Sequence, residues 1–385
     1  MENFHLTMPT HIYFGKDSVK KITKELSQYK RILLVAGSGS IKKNGVYDQV
    51  VEALKSMKAF WVELWGVVPN PDIEKVREGI KIIKENDLHF VLAVGGGSVI
   101  DTAKAIATGF YFDDDPWQLF YDERKVQKAL PVGVVLTLPA TGSETNGNSV
   151  ISNRKTGEKL AIHNDILRPK FAILDPTFTY TLPPIQTAAG SADILAHVFE
   201  QYFSNSKAFM IDRMAESIMK TVIHYTPIAL KEPENYEARS ELMYASTLAL
   251  NGLLSSGKIT DWATHAMEHE VSATHDITHG VGLAILFPKW MKYCYDEKKS
   301  EKYFEFAKNV WGISENDSFT AANLAIDALT NFFRQIGLPE NFSQLGIDKS
   351  YVEIWTSSIV KRRKSIGSFK VLFEKDIKAI YESAF

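Results

Sequence analysis

Histidine is unevenly distributed along this 385-residue chain, and its clustering is the strongest chemical signal in the sequence. His265, His269, His275 and His279 lie within fifteen residues, out of ten histidines in all. His265 and His269 are four residues apart in a segment with helical periodicity, which places both on one helical face. Because neutral imidazole is a common ligand of divalent metals, the cluster is a candidate metal site.

A carboxylate and a fifth histidine repeat this spacing earlier in the chain. Asp193 and His197 are four residues apart in GSADILAHVFEQYF, which predicts a helix with both side chains on one face. Alone, this pair is more typical of a surface contact, and each clustered histidine fits a half-buried side chain. The combination of pair and cluster favours a metal.

The ligand types narrow the choice of metal. Three imidazoles and one carboxylate suit Fe²⁺ or Zn²⁺, because imidazole is a borderline ligand. Cys294 is the single cysteine, which excludes an intramolecular disulfide, cysteine-rich zinc modules and Cys-x-x-Cys redox chemistry. We expect it to be a small buried side chain. The spacing decides neither which histidines bind nor whether the metal is iron or zinc.

Glycine-rich loops follow two of the apolar runs. VGGGSVIDTAKA (94–105) has the pattern of a strand, a loop of three glycines, Ser98 as a candidate N-cap, and a helix. The second loop, Gly37 to Ser40, follows the apolar run 31–36. Either loop alone also fits a tight turn that needs positive φ. Two such loops after parallel strands favour a dinucleotide, whose phosphates bind glycine loops and helix N-termini.

The loop after residue 36 also bears on the type of cofactor. Folds specific for NAD place an acidic residue near the adenosine ribose, whereas a 2′-phosphate requires small, polar or basic residues. Residues 37–40 contain no acid and Lys42 and Lys43 follow, so we predict NADP in preference to NAD. The two lysines also fit an exposed helix face. A third loop, TLPATGSETN (137–146), offers small polar groups for a nicotinamide or a pyrophosphate.

Two differently patterned halves must position these residues. The first half, 1–182, alternates strand and helix patterns, which predicts an α/β domain with a doubly wound, mainly parallel, Rossmann-like sheet. Long helical periodicities predict an all-helical metal-binding and substrate domain over 183–385, with a ligand site in the cleft between the domains. The predicted strands are the apolar runs at 31–36, 60–64, 90–94, 132–138 and 171–175.

Composition excludes several classes of protein. Hydrophobic residues make up 45% and charged residues 23%, which is typical of a globular chain and excludes a disordered one. The net charge of −2 argues against nucleic acid or an anionic membrane as partner, so a small molecule is expected. The first residues lack the pattern of a signal peptide and no apolar run is long enough to span a membrane, which predicts a cytoplasmic protein.

A metal beside a nicotinamide predicts hydride transfer, because a Lewis acid stabilises an alkoxide or polarises a carbonyl. With these motifs in this order, the chain resembles the iron-containing (group III) alcohol dehydrogenases, most closely the branch of butanol dehydrogenases and NADPH-dependent aldehyde reductases. The resemblance spans nearly the whole chain. It is carried by PTHIYFGKDSVKKI (9–22), PNPDIEKVREG (69–79), GGGSVIDTAKAIA (95–107), TLPATGSETN (137–146), LDPTFTYTLPP (174–184), GSADILAHVFEQYF (190–203) and HAMEHEVSATHDITHGVGLAILFP (265–288).

The resemblance implies an NADP-dependent oxidoreductase that interconverts a primary alcohol and an aldehyde, such as butanol and butanal. His269 would face the nicotinamide and help to relay the alcohol proton, whereas His275 matches no ligand position. The family also suggests a homodimer. The metal ligands implied by the resemblance are Asp193, His197, His265 and His279.

Family members that prefer NAD carry an aspartate where this chain has Ser38, which agrees with the predicted NADP preference. The glycine loop at 95–97 would bind the pyrophosphate. The cofactor-binding positions implied by the resemblance are Gly37, Ser38, Gly39, Ser40, Asn70, Gly95, Gly96, Gly97, Ser98, Asp101, Thr137, Thr141, Asn146, Lys159 and Tyr180.

Two other functions fit parts of the pattern. A metal-dependent lyase of the dehydroquinate synthase type uses a related fold, but its ligand pattern begins with Glu, whereas this chain has Asp193. It also needs additional basic residues around a phosphorylated substrate. A non-catalytic dinucleotide-binding protein is the second alternative, and the complete set of candidate ligands argues against it.

Overall fold

In a computed structural model, which describes residues 1–385, the apolar runs of the first half form a six-stranded sheet. All five neighbouring pairs of strands in it are parallel. Two further strands form a separate antiparallel hairpin. The strands are β1 (His11–Phe14), β2 (Arg31–Ala36), β3 (Phe60–Leu64), β4 (Phe90–Gly95), β5 (Val132–Leu136), β6 (Asn148–Asn153), β7 (Glu158–His163) and β8 (Phe171–Leu174).

Fifteen α-helices accompany the strands, and most of them lie in the second half of the chain. The helices are α1 (Ile22–Glu25), α2 (Ser40–Lys43), α3 (Val46–Ser56), α4 (Ile73–Asn86), α5 (Gly97–Gly109), α6 (Gln118–Tyr121), α7 (Pro184–Tyr202), α8 (Phe209–Lys231), α9 (Tyr236–Ala249), α10 (Ala263–His275), α11 (His279–Cys294), α12 (Ser300–Trp311), α13 (Ser318–Gln335), α14 (Tyr351–Arg362) and α15 (Glu374–Glu382).

The sheet is doubly wound, as predicted. Its strand order is β1-β8-β5-β4-β2-β3, so the chain moves from β2 to β3 in one direction and from β4 to β5 in the other. Alternate residues of each strand face opposite sides. In β2, Ile32 and Leu34 pack with α1 to α3, while Leu33 and Val35 pack on the side of α4 and α5. The strand order therefore reverses between β2 and β4, where dinucleotides bind in folds of this kind.

All five predicted strands are confirmed, but the sequence patterns missed three others. The edge strand β1 is short, and its exposed residues carry no alternating pattern. The hairpin strands β6 and β7 have polar residues at both ends and contain only two and three successive apolar residues. Between β1 and β2 the chain forms a 3₁₀-helix, Ser18–Lys21, followed by the single turn α1.

The chain divides into two units. The sheet unit comprises Thr7–Leu182 and Pro233–Asn251, and the helical unit comprises Met1–Leu6, Pro183–Glu232 and Gly252–Phe385. These units differ from a single division after residue 182 in two segments, the N-terminal hexapeptide and α9. The functions predicted for the two domains stay predictions at this point.

Local contacts explain both exceptions. In the sheet unit, Thr247 on α9 donates a hydrogen bond to the buried Glu144 carboxyl at 2.6 Å. In the helical unit, the backbone N–H of Glu2 donates to the Gly257 carbonyl at 2.9 Å, and Ser206 donates to the Glu2 carboxylate at 2.9 Å. A helical period in the sequence carries no sign of such long-range bonds, so the sequence placed α9 with the other long helices.

The helical unit contains no strand beyond an isolated bridge between Ile366 and Leu372. Its longest helices, α7 and α8, have 19 and 23 residues. Residues 187–202 of α7 are all buried, which makes this helix the centre of the unit. None of the helices combines the length and the apolar character needed to cross a lipid bilayer.

Candidate active site

The central helix α7 supplies the first two candidate ligands. Asp193 and His197 lie one helical turn apart on it and are 3% and 5% exposed. Helix α10 carries His265, which is 7% exposed, and α11 begins with His279, which is half-buried. These four residues, separated by up to 86 positions in the chain, come together inside the helical unit.

One carboxylate oxygen lies at the centre of this group. Asp193 Oδ1 is 3.6 Å from His197 Nε2, 4.0 Å from His265 Nε2 and 3.8 Å from His279 Nε2. These distances are too long for hydrogen bonds. Two atoms bound to one ion at about 2.1 Å lie at most about 4.2 Å apart, so each separation from Asp193 Oδ1 fits a pair of ligands of a single metal ion. Ligand atoms of Asp193, His197 and His265 all lie within 4.8 Å of one another, whereas His279 forms such a group with Glu268 and His269.

Unsatisfied polar atoms support the same interpretation. Asp193 Oδ1 and His265 Nε2 are buried and have no hydrogen-bond partner. Leaving buried polar atoms unpaired is unfavourable, so such atoms point to a missing ligand. A set of three imidazole nitrogens and one carboxylate oxygen matches the preferences of Fe²⁺ and Zn²⁺. The residues present therefore fit one divalent metal ion.

Close packing of two helices brings His279 to the group. A Cβ atom on Gly280 would lie 1.9 Å from the backbone carbonyl oxygen of Ala189. Helix α11 can therefore approach α7 this closely only because residue 280 has no side chain. Since Gly280 follows His279 directly, this contact fixes the position of the imidazole beside Asp193.

Behind His265 lies Glu200, a fully buried residue of α7. Its Oε1 atom accepts hydrogen bonds from His265 Nδ1 at 2.9 Å and from the His265 backbone N–H at 3.0 Å. Its Oε2 atom accepts the backbone N–H of Trp262 at 2.6 Å. The carboxylate thus keeps the ring proton on Nδ1 and leaves the Nε2 lone pair facing Asp193, as expected for an oriented metal ligand.

A second buried carboxyl lies behind His279. Glu268 of α10 is fully buried, and its Oε2 atom contacts His279 Nδ1 at hydrogen-bonding distance. Its Oε1 atom accepts a hydrogen bond from Ser272. A Cβ atom on Gly282 would lie 2.9 Å from Glu268 Oε1, so glycine at this position also leaves room for the carboxyl. Two of the three imidazoles are therefore oriented from behind by glutamates.

His269 lies next to the group but outside its centre. It is half-buried, and its ring centroid is 5.5 Å from that of His279. A ligand atom of His269 lies within 4.8 Å of ligand atoms of Glu268 and His279. This position is compatible with the proton relay expected for His269, which stays a prediction.

The fourth clustered histidine belongs to a different environment. The His275 ring packs against Tyr351 at 4.3 Å and Trp355 at 5.6 Å between ring centroids, both on α14. Partial burial there lowers its pKa. His275 thus packs in an aromatic cluster and touches none of the four candidate ligands. Cys294 is buried as expected, and burial raises the pKa of its thiol.

In the sheet unit, both glycine loops lie at the carboxyl ends of the adjacent strands β2 and β4, where the strand order reverses. Gly39 has φ +108°, a left-handed conformation that favours glycine. Ser38 and Ser40 are exposed. The expectation that Ser98 caps α5 is wrong: the helix begins at residue 97, so its N-cap is Gly96 and Ser98 lies in the first turn.

The third loop, 137–146, packs directly on the glycine loop 95–98. A Cβ atom on Gly97 would lie 2.5 Å from Thr141 Cγ2, and the backbone N–H of Thr137 donates to the Gly95 carbonyl at 3.1 Å. The three loops predicted to hold the cofactor are therefore neighbours, with Gly37 lying against Val99 of α5. Free N–H groups at the start of α5 make this edge suitable for a phosphate.

A buried lysine connects α5 to the third loop. Lys104 is fully buried, and its Nζ atom donates to Ser143 Oγ at 2.8 Å and to the backbone carbonyls of Asn146 and Asn148 at 2.8 and 2.9 Å. Burial lowers its pKa to about 8. Asp101, one turn earlier, accepts hydrogen bonds from Ser143 Oγ and from the Val150 N–H. These bonds hold the loop in one conformation.

The remaining predicted cofactor residues differ in their exposure. Lys159 on β7 donates to Asn70 Oδ1 at 2.9 Å, and both residues are buried. Asn146 donates to the Thr141 carbonyl at 3.2 Å. Tyr180 is half-buried after the 3₁₀-helix Pro176–Thr179, and burial raises its pKa. Asp101 is also mostly buried and uses both carboxylate oxygens within the unit, where burial raises its pKa.

Comparison with known proteins agrees with this geometry. The model of the iron-containing alcohol dehydrogenase family matches residues 9–176, and that of the C-terminal domain of the same family matches residues 187–385. The chain belongs to the iron-containing alcohol dehydrogenase family. As a member of this family, it is an oxidoreductase of the alcohol dehydrogenase and aldehyde reductase type.

Several members of the family are similar over their full lengths. NADH-dependent butanol dehydrogenase A of Clostridium acetobutylicum is 45% identical, and the NADPH-dependent aldehyde reductase YqhD of Escherichia coli is 42% identical, each match covering 100% of both chains. The crystal structure of NADH-dependent butanol dehydrogenase A of Thermotoga maritima has a TM-score of 0.97 at 39% identity, covering 100% of this chain and 99% of that one. These relatives include both NADH-dependent and NADPH-dependent enzymes.

The sequence motifs of the family did not indicate every residue of the site. Glu200 and Glu268 were missed, although each lies three residues after a candidate ligand, His197 or His265, on a predicted helix. That spacing places a carboxylate within one turn of an imidazole and could have suggested both residues. Lys104 was visible in the motif, but nothing in the sequence indicated that its ammonium group is buried.

Proposed function

We propose that this alcohol dehydrogenase reduces an aldehyde to a primary alcohol with NADPH, and catalyses the reverse reaction, at one divalent metal ion. The observation that carries the proposal is the convergence of three imidazole Nε2 atoms on one Asp193 oxygen within 4.0 Å. The proposed ligands are Asp193, His197, His265 and His279. A bound Fe²⁺ or Zn²⁺ supplies Lewis-acid chemistry that polarises a carbonyl group.

The chain's own residues would prepare the site for this chemistry. Glu200 and Glu268 hold the imidazoles of His265 and His279 from their Nδ1 sides, so that both Nε2 atoms point towards Asp193. His269, half-buried beside His279, is proposed to pass a proton to the alkoxide oxygen as the alcohol forms. The buried surroundings of Asp193 and His197 exclude water and strengthen electrostatic interactions.

We propose that the dinucleotide binds along the carboxyl edge of the sheet, with its pyrophosphate at the loop 95–98 and the start of α5. The reversal of strand order between β2 and β4 supports this position. The loop 137–146, held by Lys104, would contact the cofactor from the other side. The remaining proposed contacts are those of Asn70, Lys159 and Tyr180.

The preference for NADPH is proposed from the loop after β2. Residues 37–40 carry no carboxylate that would repel a 2′-phosphate, and Ser38 is exposed. Both following lysines are exposed, but Lys42 packs over the Trp65 ring at 4.1 Å, whereas Lys43 lies at the end of the short helix α2. Lys43 is therefore the better candidate for the phosphate contact.

We also propose a homodimer formed through the edge strand β1. This strand pairs only with β8, and its Ile12 and Phe14 are 39% and 43% exposed. An unprotected edge with exposed apolar side chains is a natural site for pairing with a second copy of the chain.

A single assay tests the catalytic proposal. Purified enzyme loaded with Fe²⁺ or Zn²⁺ is mixed with butanal and either NADPH or NADH, and the loss of nicotinamide absorbance at equal cofactor concentrations is followed. We expect net consumption, faster with NADPH. A lyase that recycles its nicotinamide internally, or a non-catalytic dinucleotide-binding protein, would show no net consumption with any aldehyde. Full activity after the metal has been stripped would also contradict the proposal.

A further inference from the structure

Trp262 has a backbone conformation that is unfavourable for its residue type. It lies directly before α10 with φ +66° and ψ +15°, in the left-handed region. Five other non-glycine residues have positive φ, and four of them are Asp or Asn. Those side chains tolerate the left-handed region, whereas a bulky aromatic residue does not. A strained residue of this kind persists only where the surrounding structure holds it, typically at a functional site.

The bond that holds this conformation also orients a candidate metal ligand. Glu200 accepts the Trp262 backbone N–H at 2.6 Å with one oxygen, and the His265 backbone N–H and Nδ1 with the other. The indole Nε1 donates to Thr260 Oγ1 at 2.7 Å, which fixes the plane of the ring. Backbone and side chain of Trp262 are thus restrained separately.

The indole ring lies against two of the imidazoles. Its centroid is 5.2 Å from that of His265 in an edge-to-face arrangement and 6.3 Å from that of His197. The side chain is only half-buried, so core packing alone does not explain a strained backbone. An ordinary conformation at this position would direct the ring elsewhere, because the left-handed φ sets the direction of the Cα–Cβ bond.

We propose that Trp262 is a positioning residue of the metal site, whose indole fixes the orientation of His197 and His265 and slows exchange of the metal with solution. The proposal rests on the metal site of the proposed function. Trp262 is neither a candidate metal ligand nor one of the two glutamates that bond the imidazoles from behind. The strain at residue 262 is then the consequence of placing an aromatic ring against both imidazoles.

The test compares metal release from wild type and variants. The enzyme is loaded with Co²⁺, and release to excess chelator is followed through the d–d absorption bands. Trp262→Leu removes the aromatic face, and we expect the metal to dissociate about 10- to 100-fold faster, as for residues that orient ligands. Trp262→Phe keeps an aromatic ring at the position and should change the rate by less than about threefold.

Thr260→Val provides a second variant with little risk to folding, because it removes only the acceptor of the indole N–H. We expect faster Co²⁺ release and altered d–d bands, to a smaller extent than in Trp262→Leu. Fluorescence gives a readout of the contact itself: Co²⁺ binding should quench part of the tryptophan emission of wild type, and this part should be lost in Trp262→Phe. Trp311→Phe is the matched control, since this half-buried tryptophan packs against Phe306 and should leave the quenching unchanged.

The outcomes separate the two proposals. If wild type binds Co²⁺ but Trp262→Leu and Thr260→Val both release it within twofold of the wild-type rate, the positioning role is wrong and the metal site stands. If wild type binds no Co²⁺ at all, the metal site and the role of Trp262 are both overturned.

Discussion

Each of the two units contains a buried group of charged and polar side chains. The central charged atom of one group has hydrogen-bond partners, whereas that of the other has none. Around Lys104 in the sheet unit, the ammonium group meets the Ser143 hydroxyl and two backbone carbonyls, all within 2.9 Å. Around Asp193 in the helical unit, the nearest imidazole nitrogens are 3.6 to 4.0 Å away, and Asp193 Oδ1 has no hydrogen-bond partner.

The difference distinguishes a preformed support from a binding site. Complete hydrogen bonding fixes one conformation, so the group around Lys104 holds the loop 137–146 whether or not a ligand is present. Incomplete hydrogen bonding among buried atoms leaves a deficit that only a further ligand removes. In the helical unit, Glu200 and Glu268 bond the Nδ1 sides of two imidazoles, whereas Asp193 Oδ1 and His265 Nε2, on the side where the candidate ligands meet, have no hydrogen-bond partner.

The largest effect is expected from removing a candidate ligand. His265→Ala or His279→Ala should abolish metal retention and lower kcat by about 1,000-fold, because loss of the Lewis acid removes about 4 kcal/mol of transition-state stabilisation. Metal content by elemental analysis and turnover of butanal measure both effects. His275→Ala is the matched control: it belongs to the same sequence cluster but packs against Tyr351, so it should keep its metal. Loss of metal in His275→Ala, or retention of metal in both His265→Ala and His279→Ala, would show that the candidate ligands do not differ from His275 in metal binding.

Removing the ammonium group of Lys104 should lower the free energy of unfolding. Lys104→Met leaves Asp101 and several acceptors buried without their cation, and we expect the free energy of unfolding to fall by about 3 kcal/mol. Denaturant unfolding monitored by circular dichroism measures this loss. Lys84→Met, at an exposed position of α4, should change the free energy of unfolding by less than about 0.5 kcal/mol.

The pH dependence of stability gives a second test of Lys104. Burial lowers its pKa from 10.5 to about 8, so between these values the unfolded chain holds a proton that the folded chain has released. Burial of the charged form therefore destabilises the fold at pH 8 and below, and this penalty decreases as the pH rises to 10.5. The slope of unfolding free energy against pH from 8 to 10 should be more positive in wild type than in Lys104→Met, with Lys84→Met behaving like wild type. Equal slopes in all three proteins would contradict the burial of a titrating ammonium.

A smaller effect should follow from altering the support of a candidate ligand. Glu200→Gln keeps the shape of the side chain but offers one acceptor oxygen to the three N–H groups that the carboxylate now accepts. We expect metal affinity to fall by about 10- to 100-fold while the fold is retained. Isothermal titration with Zn²⁺ checks this, and Glu301→Gln, at a side chain that is 79% exposed, is the control. Unchanged affinity would mean that the imidazole needs no support from behind.

The smallest effect is expected from the exposed loop after β2, which lies outside both buried groups of side chains. Ser38→Asp places a carboxylate on the exposed loop after β2, where it would repel a 2′-phosphate and accept hydrogen bonds from a ribose. The ratio of kcat/KM for NADPH to that for NADH should fall by about tenfold, with little change in unfolding free energy or metal content. Ser40→Asp, two residues further along, tests whether the effect depends on position. A ratio unaffected by Ser38→Asp would exclude this loop as the determinant of cofactor preference.

Local patterns predicted much of the fold. Apolar runs revealed five of the six strands of the parallel sheet, because strands buried on both faces consist of continuous apolar residues. The edge strand β1 and the hairpin β6–β7 lack such runs and escaped. The start of α5 was misplaced by the preference of serine for N-caps, since the glycine loop allows the helix to begin before Ser98. The place of α9 depends on bonds such as that between Thr247 and Glu144, which are 103 residues apart.

By itself, the sequence determined the residue types and spacings of the two sites: glycine loops after apolar runs, and imidazoles one helical turn apart. Those features are local, so the chain expresses them without reference to its fold. Only the tertiary structure decided that Asp193 faces three imidazoles, that His275 belongs to an aromatic cluster, and that Lys104 is buried. Each of these depends on close approach between distant segments, such as the contact of Gly280 with Ala189, which is set by packing and which no local spacing contains.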